Sequence, residues 1–122
     1  MNDEFILGWD YDDGYSAVFE QDDATGYLYA KKNGEIFQYL HIYNRKTQDP
    51  QIKEEDVRVI RSDDGSKIGV VIWKELRGVI ELNTAETFKD NRGINDEKWL
   101  EGFDYLLRAD SGGVIRAFLR CD

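Results

Sequence analysis

Acidic side chains dominate the start of the chain and suggest three kinds of chemistry. The first thirty residues hold eight carboxylates and no Lys or Arg, whereas residues 31–122 hold 17 acids and 16 bases. Carboxylates can ligate metal ions, work as acid–base pairs, or recognise a cationic surface. Because aromatic residues are interleaved with these acids, recognition of a basic partner fits them best. The predicted partner-binding residues are Trp9, Tyr11, Asp12, Asp13, Tyr15, Glu20, Asp22 and Asp23.

The other two uses of these carboxylates are less well supported. A calcium loop with Gly14 at its sixth position would put Trp9, which has no oxygen ligand, at the first position. An acidic turn is therefore favoured over an irregular metal site. An acid–base pair such as Asp12 with Glu20 needs a fixed separation and a raised pKa, which exposed turns seldom provide. We predict no catalytic residue, no metal, no cofactor and no enzymatic activity.

The single histidine, His41, gives a second candidate site. One histidine excludes a His-rich metal site, and on an aromatic strand such a residue is either packed or in contact with a ligand. The alternative ligand face consists of Phe37, Tyr39 and His41, which could form the wall of a small-molecule pocket. The single cysteine, Cys121, cannot form an internal disulfide, which agrees with a reducing compartment.

Length and composition limit the classes of protein to which the chain can belong. With 122 residues, of which 41% are hydrophobic, residues 1–122 are expected to form a single domain. No apolar run is long enough to cross a bilayer and no signal-like N-terminus is recognisable, so we expect a cytoplasmic protein without membrane contact. Direct nucleic-acid binding is disfavoured because the Lys and Arg residues are scattered among as many acids. Both a monomer and a homodimer remain open.

Short apolar runs separated by turn residues predict a mostly antiparallel sheet built from hairpins. Asn33-Gly34 is a strong signal for a two-residue hairpin turn, in which Ala30 would face Phe37 and Leu28 would face Tyr39. The run 68–73 has no alternation, which is typical of a central strand buried on both faces. The predicted strands are 15–20, 27–32, 35–43, 56–62, 67–74 and 78–82.

Helical patterns are expected in the last third of the chain. Asn83 and Glu86 have the spacing of a capping box, which predicts a short helix at 84–90. A second helix is predicted at 96–108 from its apolar stripe and its terminal charges, followed by a strand at 114–119. The predicted fold class is α+β, with the sheet packed by one or two C-terminal helices.

Three segments also resemble a known family. The sequence VFEQDDATGYLYA at 18–30, HIYN at 41–44 and SDDGSKIGVVIW at 62–73 are similar to small acidic bacterial proteins catalogued as a domain of unknown function. The resemblance covers residues 15–82 and implies bacterial origin and a common fold. Since that family has no assigned activity, it transfers no site residues. The leading prediction is a non-enzymatic protein of the inhibitor or immunity type that binds a basic protein, and the alternative is a small-molecule-binding or regulatory module.

Overall fold

Two antiparallel sheets of four strands form the fold. The computed structural model describes residues 4–103, and in each sheet the strands follow one another in chain order. The first sheet contains β1 (Phe5–Asp10), β2 (Tyr15–Gln21), β3 (Thr25–Lys32) and β4 (Glu35–Asn44). The second sheet contains β5 (Val57–Arg61), β6 (Lys67–Ile72), β7 (Glu75–Glu81) and β8 (Thr87–Lys89), and one short helix, α1 (Glu97–Leu100), follows it. No helix among the described residues is long and apolar enough to cross a membrane.

Turn chemistry explains the hairpins of the first sheet. The Asp22 carboxylate accepts hydrogen bonds from the backbone N–H groups of Ala24 and Thr25, which closes the turn between β2 and β3. Asn33 and Gly34 have φ angles of 52° and 88°, as the two central residues of a type I′ turn require. The expected strands on both sides of this turn are confirmed.

The main core lies between the two sheets. Alternate residues of β2 and β3 point inward, including Ala17, Phe19, Leu28 and Ala30, all of which are fully buried. The second sheet contributes inward-facing residues of its own, and removing this apolar surface from water is the main stabilising term. The residues that it contributes are Val57, Val59, Ile68, Val70, Ile72, Ile80 and Leu82.

The second sheet is covered on both faces. Every residue of β6 is buried, which confirms the prediction of a central strand. On the face turned away from the first sheet, a smaller cluster includes Ile94, Trp99 and Phe103. The Trp99 ring stacks on Phe88 of β8, with the centroids 5.7 Å apart. The chain that follows β8 therefore packs against the back of this sheet.

The predicted α+β class is confirmed in its antiparallel sheets but not in its helices, because the described chain is mostly β. The helix predicted at 84–90 is absent, and the strand β8 lies there instead. The helix predicted at 96–108 begins as expected, with the Asp96 carboxylate accepting from the Lys98 N–H, but α1 ends at Leu100. Gly102 then has a φ of 93°, which no right-handed helix contains. Residues 104–108 and the strand predicted at 114–119 lie outside the described residues.

Two further features differ from the sequence prediction. The first strand, β1, was not predicted, although Phe5, Leu7 and Trp9 alternate with more exposed residues. In the β3–β4 hairpin, Ala30 pairs with Gln38 and not with Phe37, because a register shift follows the turn. Phe37 is the extra residue of a β-bulge, so residues 38–41 of β4 face the opposite side from the one expected.

Candidate functional site

The outer face of the first sheet is its solvent-facing side. The backbone register aligns its side chains in three rows that run across the four strands. Ile6, Ile36 and Tyr39 on this face are 66%, 55% and 60% exposed, although large apolar side chains are usually buried. The rows are Ile6, Glu20, Tyr27 and His41; then Gly8, Val18, Tyr29 and Tyr39; and then Asp10, Ser16, Lys31 and Ile36.

Three tyrosines and the histidine form a cluster at the centre of this face. The Tyr27 ring stacks on Tyr29 at a centroid distance of 5.9 Å. It also contacts Tyr39 at 6.1 Å and His41 edge-on at 5.2 Å. Tyrosine side chains supply rigid, amphipathic contact area at a small entropy cost, which makes them effective in binding surfaces.

Glu20 brings negative charge into the tyrosine cluster. The Tyr29 hydroxyl donates a hydrogen bond of 3.3 Å to Glu20 Oε1. Partial burial and the neighbouring Glu20 carboxylate raise the pKa of Tyr29 above its usual range. The hydroxyl therefore stays protonated, and the carboxylate beside it remains an acceptor for an incoming cation.

The aromatic side chains predicted as partner anchors lie on the other side of the first sheet. Trp9, Tyr11 and Tyr15 are all half-buried and pack against the main core. The Arg61 guanidinium lies 4.6 Å from the centre of the Tyr11 ring. The Tyr15 ring contacts the ammonium of Lys32 at 3.8 Å. Much of the surface of these rings is therefore occupied by intramolecular contacts.

Asp13 is held by an arginine of the second sheet. Two Arg61 nitrogens donate to its carboxylate, at 3.1 and 2.7 Å. This ion pair lowers the pKa of Asp13 to about 2 and raises the pKa of Arg61. Asp13 therefore links the two sheets, and the Arg61 guanidinium compensates the negative charge of its carboxylate.

The remaining predicted acids lie at opposite ends of the first sheet. Asp12 is in the turn before β2, and Asp22 and Asp23 are in the turn after it. The seven residues of β2 separate these turns by about 23 Å. The backbone N–H groups that bond Asp22 lower the pKa of its carboxyl. Among the predicted acids, Glu20 is the one that reaches the tyrosine cluster.

The alternative ligand face is divided by the bulge in β4. Tyr39 and His41 share the outer face, whereas the Phe37 ring contacts Tyr15 on the inner side at 5.9 Å. His41 is fixed by two neighbours, since its Nε2 lies 3.0 Å from Asn44 Oδ1 and its Nδ1 lies 3.3 Å from Lys89 Nζ. The three residues therefore do not form one wall.

A cleft of about 460 Å³ opens beside His41, between the edges of the two sheets. Its lining combines residues of β4 and of the connection that follows with residues from the β6–β7 turn, β7 and β8. The lining residues are His41, Ile42, Tyr43, Asn44, Thr47, Gln48, Asp49, Trp73, Arg77, Lys89 and Asn91. Within residues 4–103, no three His, Cys, Asp or Glu side chains come together as a metal site.

Comparison with known protein families gives one match. The family model DUF2251, described as an uncharacterized protein conserved in bacteria, matches residues 2–103. The chain belongs to this family. The match confirms the resemblance to a bacterial domain of unknown function, and it includes β1 and α1 as well as the segments from which the resemblance was drawn. Comparison with curated proteins and with solved structures finds no match to the chain.

The sequence analysis did not select several residues of the outer face and of the cleft. Tyr27 and Tyr29 carried a usable signal, because they alternate with the buried Gly26 and Leu28 and so lie on the open side of β3. Arg77 and Lys89 carried none. Their approach to His41 depends on how the second sheet packs against the first, which local sequence does not specify.

Proposed function

We propose that this protein is a non-enzymatic binding module that uses the outer face of its first sheet to engage a basic protein. The observation that carries the proposal is the cluster of half-buried Tyr27 and Tyr29 with exposed Tyr39, which has the Glu20 carboxylate beside it. Tyrosine is enriched among the residues that dominate interface energies. The proposal moves the predicted site from the acidic turns to the face between them.

Charge supports a basic partner. Glu20 and Asp10 lie on the outer face, and Asp22 and Asp23 lie at the end of the sheet nearest to Glu20. Lys31 is the one lysine in the three rows, and Lys89 of β8 lies beside His41 at the edge of this face. An acidic rim around an aromatic centre speeds association with a cationic surface and disfavours acidic partners. An inhibitor or immunity protein works in this way when it blocks the basic cleft of its target.

Site-specific crosslinking tests this proposal. A photoreactive phenylalanine analogue in place of Tyr39 should give a covalent adduct with a basic protein in a bacterial lysate. The same analogue in place of Arg58, an exposed residue of β5 in the second sheet, is the matched control and should not give that adduct. Adding Glu20→Gln to the Tyr39 probe should reduce the yield, and so should high salt.

The outcomes of the crosslinking experiment separate the alternatives. An adduct with an acidic protein, or equal adducts from both positions, would contradict the proposal. An adduct whose yield is independent of Glu20 and of salt would support binding through the apolar side chains of the outer face. It would contradict the electrostatic part of the proposal. No adduct at position 39, together with one from a probe at Asp12, would return the site to the acidic turns.

A further inference from the structure

The cleft beside His41 has irregular backbone on both of its walls. In β4 the pairing shifts between Gly26 and Tyr27, which leaves Ile42 as the extra residue. In β7 the pairing shifts after Val70, which leaves Arg77 as the extra residue. Bulges re-aim side chains and are common beside functional sites. Both bulged residues line the cleft, so the two distortions shape the same cavity.

Arg77 is a buried cation with unused donors. It is only 7% exposed, and its Nε donates to Glu75 Oε1 at 3.1 Å. Its guanidinium carbon lies 5.7 Å from the centre of the Trp73 ring. Among the described residues, neither terminal nitrogen of Arg77 has a hydrogen-bond partner. Since buried N–H groups are nearly always hydrogen-bonded, these donors are suited to an acceptor that enters the cleft.

A second cation, Lys89, lines the same cleft. Lys89 Nζ donates to the His41 carbonyl at 2.8 Å and lies 3.3 Å from His41 Nδ1, so these two contacts leave one of its three donors. No carboxylate of residues 4–103 forms a salt bridge with this ammonium. One carboxylate, Asp49, lies in the lining and is exposed. Glu75 pairs with Arg77, whereas Lys89 is a cation of the lining that has no salt bridge among the described residues.

From this geometry we infer that the cleft binds the oxyanion group of a small organic molecule. Arg77 presents two terminal nitrogens in the planar fork that matches a carboxylate or phosphate, and Lys89 supplies a point charge. Trp73, Tyr43 and His41 provide aromatic surface for the organic part. A volume of about 460 Å³ is within the usual range for small-molecule sites. The cleft shares His41 with the cluster on the outer face, but its cations, Arg77 and Lys89, are not part of that cluster, so substitutions at these two residues test the cleft alone.

Titration followed by amide NMR shifts tests the inference. The probes are inorganic phosphate, phenyl phosphate and benzoate, added to the full chain at constant ionic strength. We expect saturable shifts at residues 41–49, 73–78 and 89–91, with the aromatic probes binding more tightly than inorganic phosphate. The ratio between phenyl phosphate and benzoate identifies the oxyanion that the fork prefers.

Substitutions of the two cations identify the binding groups. Arg77→Lys keeps the charge and removes the fork, and should weaken binding by about tenfold or more. Lys89→Gln should weaken it several-fold. Arg58→Gln, which removes an exposed cation outside the cleft, should change nothing. The amide spectrum of each variant reports its folding, and Lys89→Gln keeps the test decisive if Arg77→Lys does not fold.

Three results would overturn the inference. The first is the absence of saturable shifts around the cleft with all three probes. The second is equal binding by the wild type and by folded variants of both cations. The third is the same loss of binding in Arg58→Gln, because that would indicate a response to net charge alone.

Discussion

Asp13 and Arg61 join the two sheets through a bidentate ion pair, with the shorter nitrogen–oxygen distance at 2.7 Å. Asp13 lies in the first turn of the first sheet, and Arg61 is the last residue of β5. Arg61 also donates to the Gly65 carbonyl, at 3.0 Å from Nε and 2.8 Å from a terminal nitrogen. The guanidinium therefore fixes the turn after β5 as well as the turn before β2. Asp13, which the sequence analysis predicted to bind a partner, therefore connects the two sheets of its own chain.

The ion pair of Asp13 and Arg61 should make the stability of the fold depend on pH. The pKa of Asp13 is lowered to about 2 by Arg61, against about 3.9 for an unfolded aspartate. Its contribution is therefore present above pH 4 and is lost as the pH falls towards 2. Asp13→Asn should lower the urea midpoint at pH 7, and the difference from the wild type should shrink at pH 2–3.

Asp12→Asn is the control for this experiment, because Asp12 is an exposed carboxylate in the same turn. It should leave the urea midpoint at pH 7 close to the wild-type value. If the two substitutions have equal effects, or if the effect of Asp13→Asn does not depend on pH, the ion pair does not stabilise the fold.

The buried pair of Tyr43 and Gln21 makes a second prediction. The Tyr43 hydroxyl donates to Gln21 Oε1 at 2.6 Å in the core, and burial raises the pKa of Tyr43. Gln21→Leu leaves this hydroxyl without its acceptor and should cost about 1–3 kcal/mol of unfolding free energy. In a double-mutant cycle, adding Tyr43→Phe should recover part of that loss. Strict additivity of the two substitutions in urea unfolding would show that the hydrogen bond is not a coupled unit.

Two glycines of the first sheet differ in their backbone requirement. Gly34 has a φ of 88° in the hairpin turn, and a Cβ there would meet no atom within 4 Å. Gly34→Ala should therefore destabilise by about 1–2 kcal/mol through backbone strain alone. Gly8→Ala is the matched control, because Gly8 also has open space around its Cβ position but an ordinary φ. A loss at Gly8 as large as that at Gly34 would rule out the conformational explanation.

The tyrosine cluster should matter little to folding. Tyr39 is 60% exposed, and Tyr39→Ser should change the free energy of unfolding by about 0.5 kcal/mol or less. Phe19→Ala, in the fully buried core, should cost about 3–5 kcal/mol. Urea unfolding of both variants measures this contrast. A Tyr39→Ser variant as unstable as Phe19→Ala would mean that the outer face is part of the core.

Local signals predicted the hairpins well but not the packing between elements. Asn33-Gly34 specifies its turn because two successive positive φ angles are required, and the run before Trp73 marks a strand covered on both faces. The capping-box spacing of Asn83 and Glu86 was misleading. In the fold, the Glu81 carboxylate accepts from the Asn83 and Thr84 N–H groups and closes a β-turn there instead. Tertiary pairing with β7 then makes Thr87–Lys89 a strand.

The sequence predicted only in part on which side of the first sheet each candidate residue lies. An acidic, aromatic surface in the first third of the chain is present, but alternation along β1 and β2 turns Trp9 and Tyr15 inward and leaves Glu20 outside. If β1 had been recognised as a strand, its alternation would have predicted from the sequence that Trp9 points inward. The bulge at Phe37 could not be foreseen, because no residue type specifies it, and it decides which aromatic residues join Tyr27 and Tyr29.

The most direct test of the proposed binding face measures the association and dissociation rates of the crosslinked partner at several salt concentrations. Tyr29→Ser with Tyr39→Ser should weaken the complex by about 30-fold or more, mainly through faster dissociation, because tyrosines at an interface centre dominate affinity. Asp12→Asn with Asp23→Asn should change only the association rate, by a few-fold and in a salt-dependent way. If the acidic-turn variant loses the complex and the tyrosine variant keeps wild-type affinity, the outer face is not the binding site.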